Sequence, residues 1–213
     1  GATEVGLNAG ADGVLNVGAP ITTTSNITRG GAGVVNLTAP IYSGGWYSFT
    51  GGTTRLIGGD NMLYPGQGTP GETQNLSVSA GAVLDLAGGA QLVGRLSNPN
   101  NNTYANTAGT ITSAAPALLA VRNTTADQYF GGTITGAVTN LQAGSGQRWF
   151  VSDNTYSGST VILSNNTVLS DAGRLSATAG IEINYGGGLR LLNNNQFDLA
   201  DRVADSAPIV MRG

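Results

Sequence analysis

The chain has 213 residues, of which 40% are hydrophobic and only 10% charged, against about a quarter charged in an average domain, and 34 positions are Gly. A net charge of −3, with nine Arg and neither Lys nor His, leaves no basic stripe for nucleic acid, and the absence of Cys excludes disulfides, thiolate metal sites and thiol nucleophiles. No stretch approaches the roughly eighteen apolar residues of a membrane span and no basic leader with an apolar core opens at Gly1, so the segment reads as soluble, without membrane insertion, and any export signal lies outside it.

Short apolar or Thr-rich runs bounded by Gly, Asn, Asp or Pro predict strands, in chain order, over 14–17, 34–37, 76–78, 83–86, 118–121, 181–183 and 189–192. Most alternate apolar with polar, which puts one face in a core and the other in solvent. Two-residue hairpin chemistry is scarce, Asp12-Gly13 being the one good case. The turns over 9–13, 79–82 and 185–188 instead carry Gly at a similar place before a following strand. That arrangement predicts an all-β fold, a right-handed parallel β-helix, in which Gly or Asn turns the corners. With coils of about twenty residues the chain holds about ten coils and a rod on the order of 50 Å long, forming a single domain over 1–213 with loop excursions.

A phrase occurs twice. It is fullest from Gly146 through Arg148-Trp149-Phe150 to Asn154-Thr155-Tyr156-Ser157-Gly158-Ser159-Thr160-Val161, and degraded from Gly33 through Val34-Val35 to Tyr42-Ser43-Gly44. Ile21-Thr22 precedes the first copy as Ile134-Thr135 precedes the second. Repeat blocks are accordingly placed at about 14–58 and 131–173, with an irregular insertion at about 59–75 and terminal coils over 174–213. The Asn runs at Asn98 to Asn102, Asn165-Asn166 and Asn193 to Asn195 are read either as stacked amide ladders or as exposed loops.

Chemistry is sparse. The densest carboxylate cluster, Asp198, Asp201 and Asp205 around Arg202, reads as a solvated turn, and Asp60 alone is no calcium site. No catalytic residue, metal ligand or cofactor site is assigned, and the chain is not expected to be an enzyme. Trp46, Tyr47 and Phe49 interrupt the first copy of the phrase and form the candidate glycan or partner platform; replacing Trp46 and Tyr47 by Ala is expected to leave folding intact. Six glycosylation sequons, at Asn26, Asn36, Asn75, Asn101, Asn123 and Asn165, are taken as chance products of an Asn-, Thr- and Ser-rich chain.

The phrase around Asn154 to Val161, with the Gly144-Ser145-Gly146 lead-in and the Asp201-Arg202-Val203-Ala204-Asp205-Ser206-Ala207-Pro208-Ile209 stretch, resembles the passenger-associated repeat of bacterial autotransporters. The first copy departs by losing the Asn-Thr before Tyr42 and by extra residues at Gly45 to Phe49. The resemblance implies a β-helical passenger or stalk at the bacterial cell surface, exported through a barrel not contained in this chain, in which Tyr and Gly serve coil geometry and nothing is catalytic. Continuing the final segment into Gly1 to Leu7 gives a similar pattern, from which end-to-end stacking into a fibre is expected, through Val5, Leu7, Ile209 and Met211. The alternatives are a glycan- or host-binding adhesin module with contacts over 45–75 and 98–108, and a polysaccharide-active enzyme.

Overall fold

In the computed structural model, which describes residues 4–65, 75–124, 127–193 and 197–213, every strand ladder is parallel and the chain winds through three faces as a β-solenoid. The first turn holds β1 (Glu4–Asn8), β2 (Val14–Val17) and β3 (Ile21–Thr23), and the second β4 (Asn26–Gly30), β5 (Val34–Leu37) and β6 (Ile41–Ser43). The third holds β7 (Tyr47–Phe49), β8 (Thr53–Leu56) and β9 (Leu63–Pro65), and the fourth β10 (Asn75–Val78), β11 (Val83–Asp85) and β12 (Ala90–Val93). In the next two, one long strand bends across the second and third faces: β13 (Arg95–Ser97) is followed by β14 (Thr110–Arg122), and β15 (Gln128–Phe130) by β16 (Thr133–Ala143). Then come β17 (Arg148–Phe150), β18 (Asp153–Tyr156) and β19 (Thr160–Ile162), followed by β20 (Asn165–Leu169), β21 (Arg174–Leu175) and β22 (Ile181–Ile183). β23 (Gly187–Leu191) and β24 (Ile209–Met211) belong to a further pass.

The core consists of columns in which each residue sits over its register partner one coil away. On the second face Leu15, Val35, Thr54, Leu84, Ile111 and Ile134 are stacked in register. On the first face Val5, Ile27, Tyr47, Leu76 and Leu96 form another column. Alternation puts the intervening residues outside, where Asn36 Nδ2 donates to Asn16 Oδ1 at 2.8 Å and Thr155 Oγ1 to Thr135 Oγ1 at 3.0 Å. The chain therefore satisfies its outer surface with neutral polar ladders and needs few charges.

Among the described residues about eight turns are present, fewer than the ten expected. Most register partners are about twenty residues apart, but two passes are much longer: Tyr47 pairs with Leu76, and the N–H of Asn98 reaches the carbonyl of Tyr129. The first long pass contains the expected insertion, although its Leu63–Pro65 segment is a coil strand, β9, with Leu63 buried in register with Ile41. A three-residue strand that ends in Pro leaves no alternation to read. Residues 66–74 of that insertion lie outside the described residues.

The second excursion leaves β13 through a single 3-10 turn, Pro99–Asn101, and returns at β14. Asn98 is buried at its base, its Nδ2 donating to the Asn102 carbonyl at 2.6 Å and its Oδ1 accepting the Gly131 N–H at 2.5 Å. The Asn106 N–H donates to Ser152 Oγ at 3.1 Å, which pins the loop across the neighbouring turns. Asn98 thus acts as a bracket between backbone segments, neither a ladder rung nor an exposed loop residue.

Candidate functional site

The expected aromatic platform is divided between the inside and the outside of the rod. Trp46, at the corner leading into the first face, is 56% exposed, whereas Tyr47 and Phe49 on β7 are 2% and 1% exposed and belong to the core. Tyr47 and Phe49, two apart on β7, both point inward while Trp46 before the strand points out, so one platform cannot include both Trp46 and Tyr47. The Tyr47 hydroxyl donates within the interior, with the Ile41 and Tyr64 carbonyls at 2.9 and 2.8 Å. The expectation that Tyr47 is dispensable for folding is therefore corrected. On the outside of the third face Tyr42 and Tyr64 lie in register with ring centroids 5.6 Å apart, a pair that emerges only from the coil register.

The four residues assigned to end-to-end contacts all terminate interior columns. Val5 and Leu7 begin the columns of the first face; Ile209 and Met211 end those of the third, in which Ile181 and Ile183 lie beneath them. Met211 is 79% exposed because no strand of the described residues lies beyond it. The pairs sit on different faces, however. A coil added beyond β23 on the first face would meet Leu189 and Leu191, the outermost members there, and one added beyond β24 would meet Ile209 and Met211. In a head-to-tail stack Val5 and Leu7 would thus face Leu189 and Leu191, while Ile209 and Met211 would face Ile21 and Thr23.

The acidic cluster is not simply a solvated turn, because the arginine at its centre is hydrogen-bonded to carbonyl and amide oxygens. Arg202 is buried, and its guanidinium donates to the carbonyls of Gly173, Leu192 and Phe197 at 2.7, 2.8 and 3.0 Å and to Asn193 Oδ1 at 2.6 Å. It ties the segment after β23 onto the coil below, and its removal from water lowers its pKa. Asn193 Nδ2 in turn donates to Asp198 Oδ1 at 2.8 Å. Among the described residues no group of three or more His, Cys, Asp or Glu converges as metal ligands would.

Two more buried Arg side chains were invisible in the sequence. Arg29 donates to the carbonyls of Gly31, Gly33, Gly51 and Thr53, the corner groups of two successive coils, so one planar guanidinium fastens both turns. Arg148 is fully enclosed, its guanidinium carbon 5.7 Å from the Phe150 ring centroid, and none of its three nitrogens has a hydrogen-bond partner. Desolvation lowers its pKa to about 9, opposed by the neighbouring Tyr156. A charge so placed costs stability.

Compared with family models, with curated proteins and with solved structures, the chain has no significant match.

Proposed function

We propose that this chain is a structural protein of the bacterial exterior, a right-handed β-solenoid that serves as a stalk or stacks end to end into a surface fibre. The observation that carries this reading is the continuity of the interior columns into both end coils: on the last pass Leu191, Ile209 and Met211 are exposed, in the first coil Val5, Leu15, Val17 and Ile21 are half-buried, and the outermost strands at both ends have an unpaired edge. Further coils on such an end, from the same chain or from a second copy, bury those side chains and pair those edges. The order of faces supports it: β24 lies on the third face and β1 on the first, which is the face the winding visits next. The right hand follows from the general preference of parallel crossovers. A neutral, amide- and hydroxyl-rich surface suits an exposed rod that depends little on salt.

Negative-stain electron micrographs of the purified chain, taken across a concentration series, test it. Linear particles growing with concentration, with an axial repeat on the order of 40 Å, are the expected result. A monomer at every concentration overturns end-to-end stacking.

A further inference from the structure

We infer that the outside of the third face carries a binding groove for a neutral oligosaccharide, centred on Tyr42 and Tyr64. The inference rests on the coil register and the groove it creates, and is independent of whether the rod stacks. A groove of about 960 Å³ lies over β3, β6 and β9. Its floor is the outward column Thr22, Tyr42, Tyr64, each residue in register with the next. Its sides are the two rows of corners flanking those strands, with Thr24 where the chain leaves β3 and Asp60 and Asn61 where it approaches β9. The groove therefore runs along the rod axis, across the strands, and it admits an extended chain more readily than a compact ligand.

The lining matches the surface of a sugar. Tyr42 and Tyr64 are both substantially exposed, and their rings, 5.6 Å apart and tilted by 56°, present two successive apolar surfaces against which the C–H faces of adjacent sugar rings can pack. Around them are Thr hydroxyls, an amide and a carboxylate, the small set of orienting polar groups that a saccharide needs. Asp60 and Asn61 are held in place from the next coil. Asp60 Oδ1 accepts the Ala90 N–H at 2.8 Å, Asn61 Oδ1 accepts that of Leu92 at 3.3 Å, and the Asn61 N–H reaches the Ala90 carbonyl at 2.8 Å. Among the described residues that line the groove the single charge is the Asp60 carboxylate, which disfavours uronates, sulfated sugars and nucleic acid and selects for neutral sugar. Trp46, the exposed residue of the expected platform, is not part of the lining.

The test is isothermal titration of the purified chain with neutral hexasaccharides built from glucose in either anomeric linkage, mannose, xylose and N-acetylglucosamine, alongside oligogalacturonate. The expected result is that at least one neutral hexasaccharide binds, that oligogalacturonate does not, and that the Tyr42→Ala/Tyr64→Ala double variant weakens binding by at least about tenfold. Asp60→Asn weakens it less, and Trp46→Ala leaves it unchanged. Because both tyrosines are exposed, the double variant keeps the wild-type circular dichroism spectrum and the same particle length in electron micrographs, which separates this test from that of stacking. The inference is overturned if no neutral hexasaccharide binds, if the double variant binds as well as the wild type, or if oligogalacturonate is preferred.

Discussion

Each residue of the phrase Asn154 to Thr160 has a physical task in the coil. Asn154 points inward, accepting the Ile134 N–H at 2.9 Å and donating to the Ser152 carbonyl at 2.9 Å. Thr155 faces outward, and Tyr156 fills the core, with its hydroxyl 2.6 Å from that of Thr160, which is in turn 3.1 Å from Thr178 Oγ1. Tyr47 on the first face is the counterpart of Tyr156: a buried ring whose hydroxyl has partners. Tyr47→Phe is expected to cost about 1 kcal/mol and Tyr47→Ala about 3–5 kcal/mol, read from denaturant unfolding. Burial pushes the pKa of both tyrosines up from the ordinary 10.0. The unfolded chain loses these protons from pH 10.0 upward while the folded one keeps them, so stability is complete below that pH and falls above it. Buried-tyrosine ionisation, followed by tyrosinate absorbance, should then coincide with loss of the circular dichroism signal. Ionisation of these groups within an intact fold would contradict their burial. Arg148 is the opposite case, a buried group without partners, and Arg148→Met is expected to raise stability by about 1–4 kcal/mol in the same unfolding experiment.

At the scale of the element, glycine decides where coils come close. A Cβ on Gly158 would collide with the Val138 carbonyl of the preceding turn, although Gly158 itself has no positive φ. Its requirement is spatial. Gly158→Ala forces β18 and β19 away from β16 and is expected to cost about 1–3 kcal/mol, measured by thermal unfolding. Gly31 combines both constraints, with φ at 78° and a close approach to the Ala9 carbonyl. The repeated phrase also acquires a different meaning at this scale. Tyr156 is on the second face and buried, whereas its counterpart in the degraded copy, Tyr42, is on the third face and exposed. Ile21 and Ile134 differ by the same single face. The two copies are alike in alternation and turn composition, which any face of the solenoid can use, so similarity in sequence does not imply the same place in the coil.

For the whole molecule, the cost of length is small, because each added turn contacts only its neighbours and repeats the same burial. What limits such a rod is its ends. Charging the third-face end with Ile209→Lys and Met211→Lys is expected to abolish concentration-dependent growth of particles while leaving the circular dichroism spectrum unchanged, since both side chains are exposed in the single chain. Growth unaffected by the two lysines would show that any assembly uses another surface. The groove on the third face lies over the first three turns, away from that end, so the two properties are separable by mutation.

The sequence by itself determined the class of fold: alternation in short runs, turn glycines recurring at a common place and few charges leave a parallel solenoid as the economical solution, and the strands over 14–17, 34–37 and 181–183 are where it put them. Only the tertiary structure decided the number of turns, the inward direction of Tyr47 and Phe49, the pairing of Tyr42 with Tyr64 and the burial of Arg29, Arg148 and Arg202. Each depends on register between residues about twenty or more positions apart. A solenoid can lengthen one pass, as it does between Tyr47 and Leu76, without altering the local pattern of any strand, so that register is set by packing between coils.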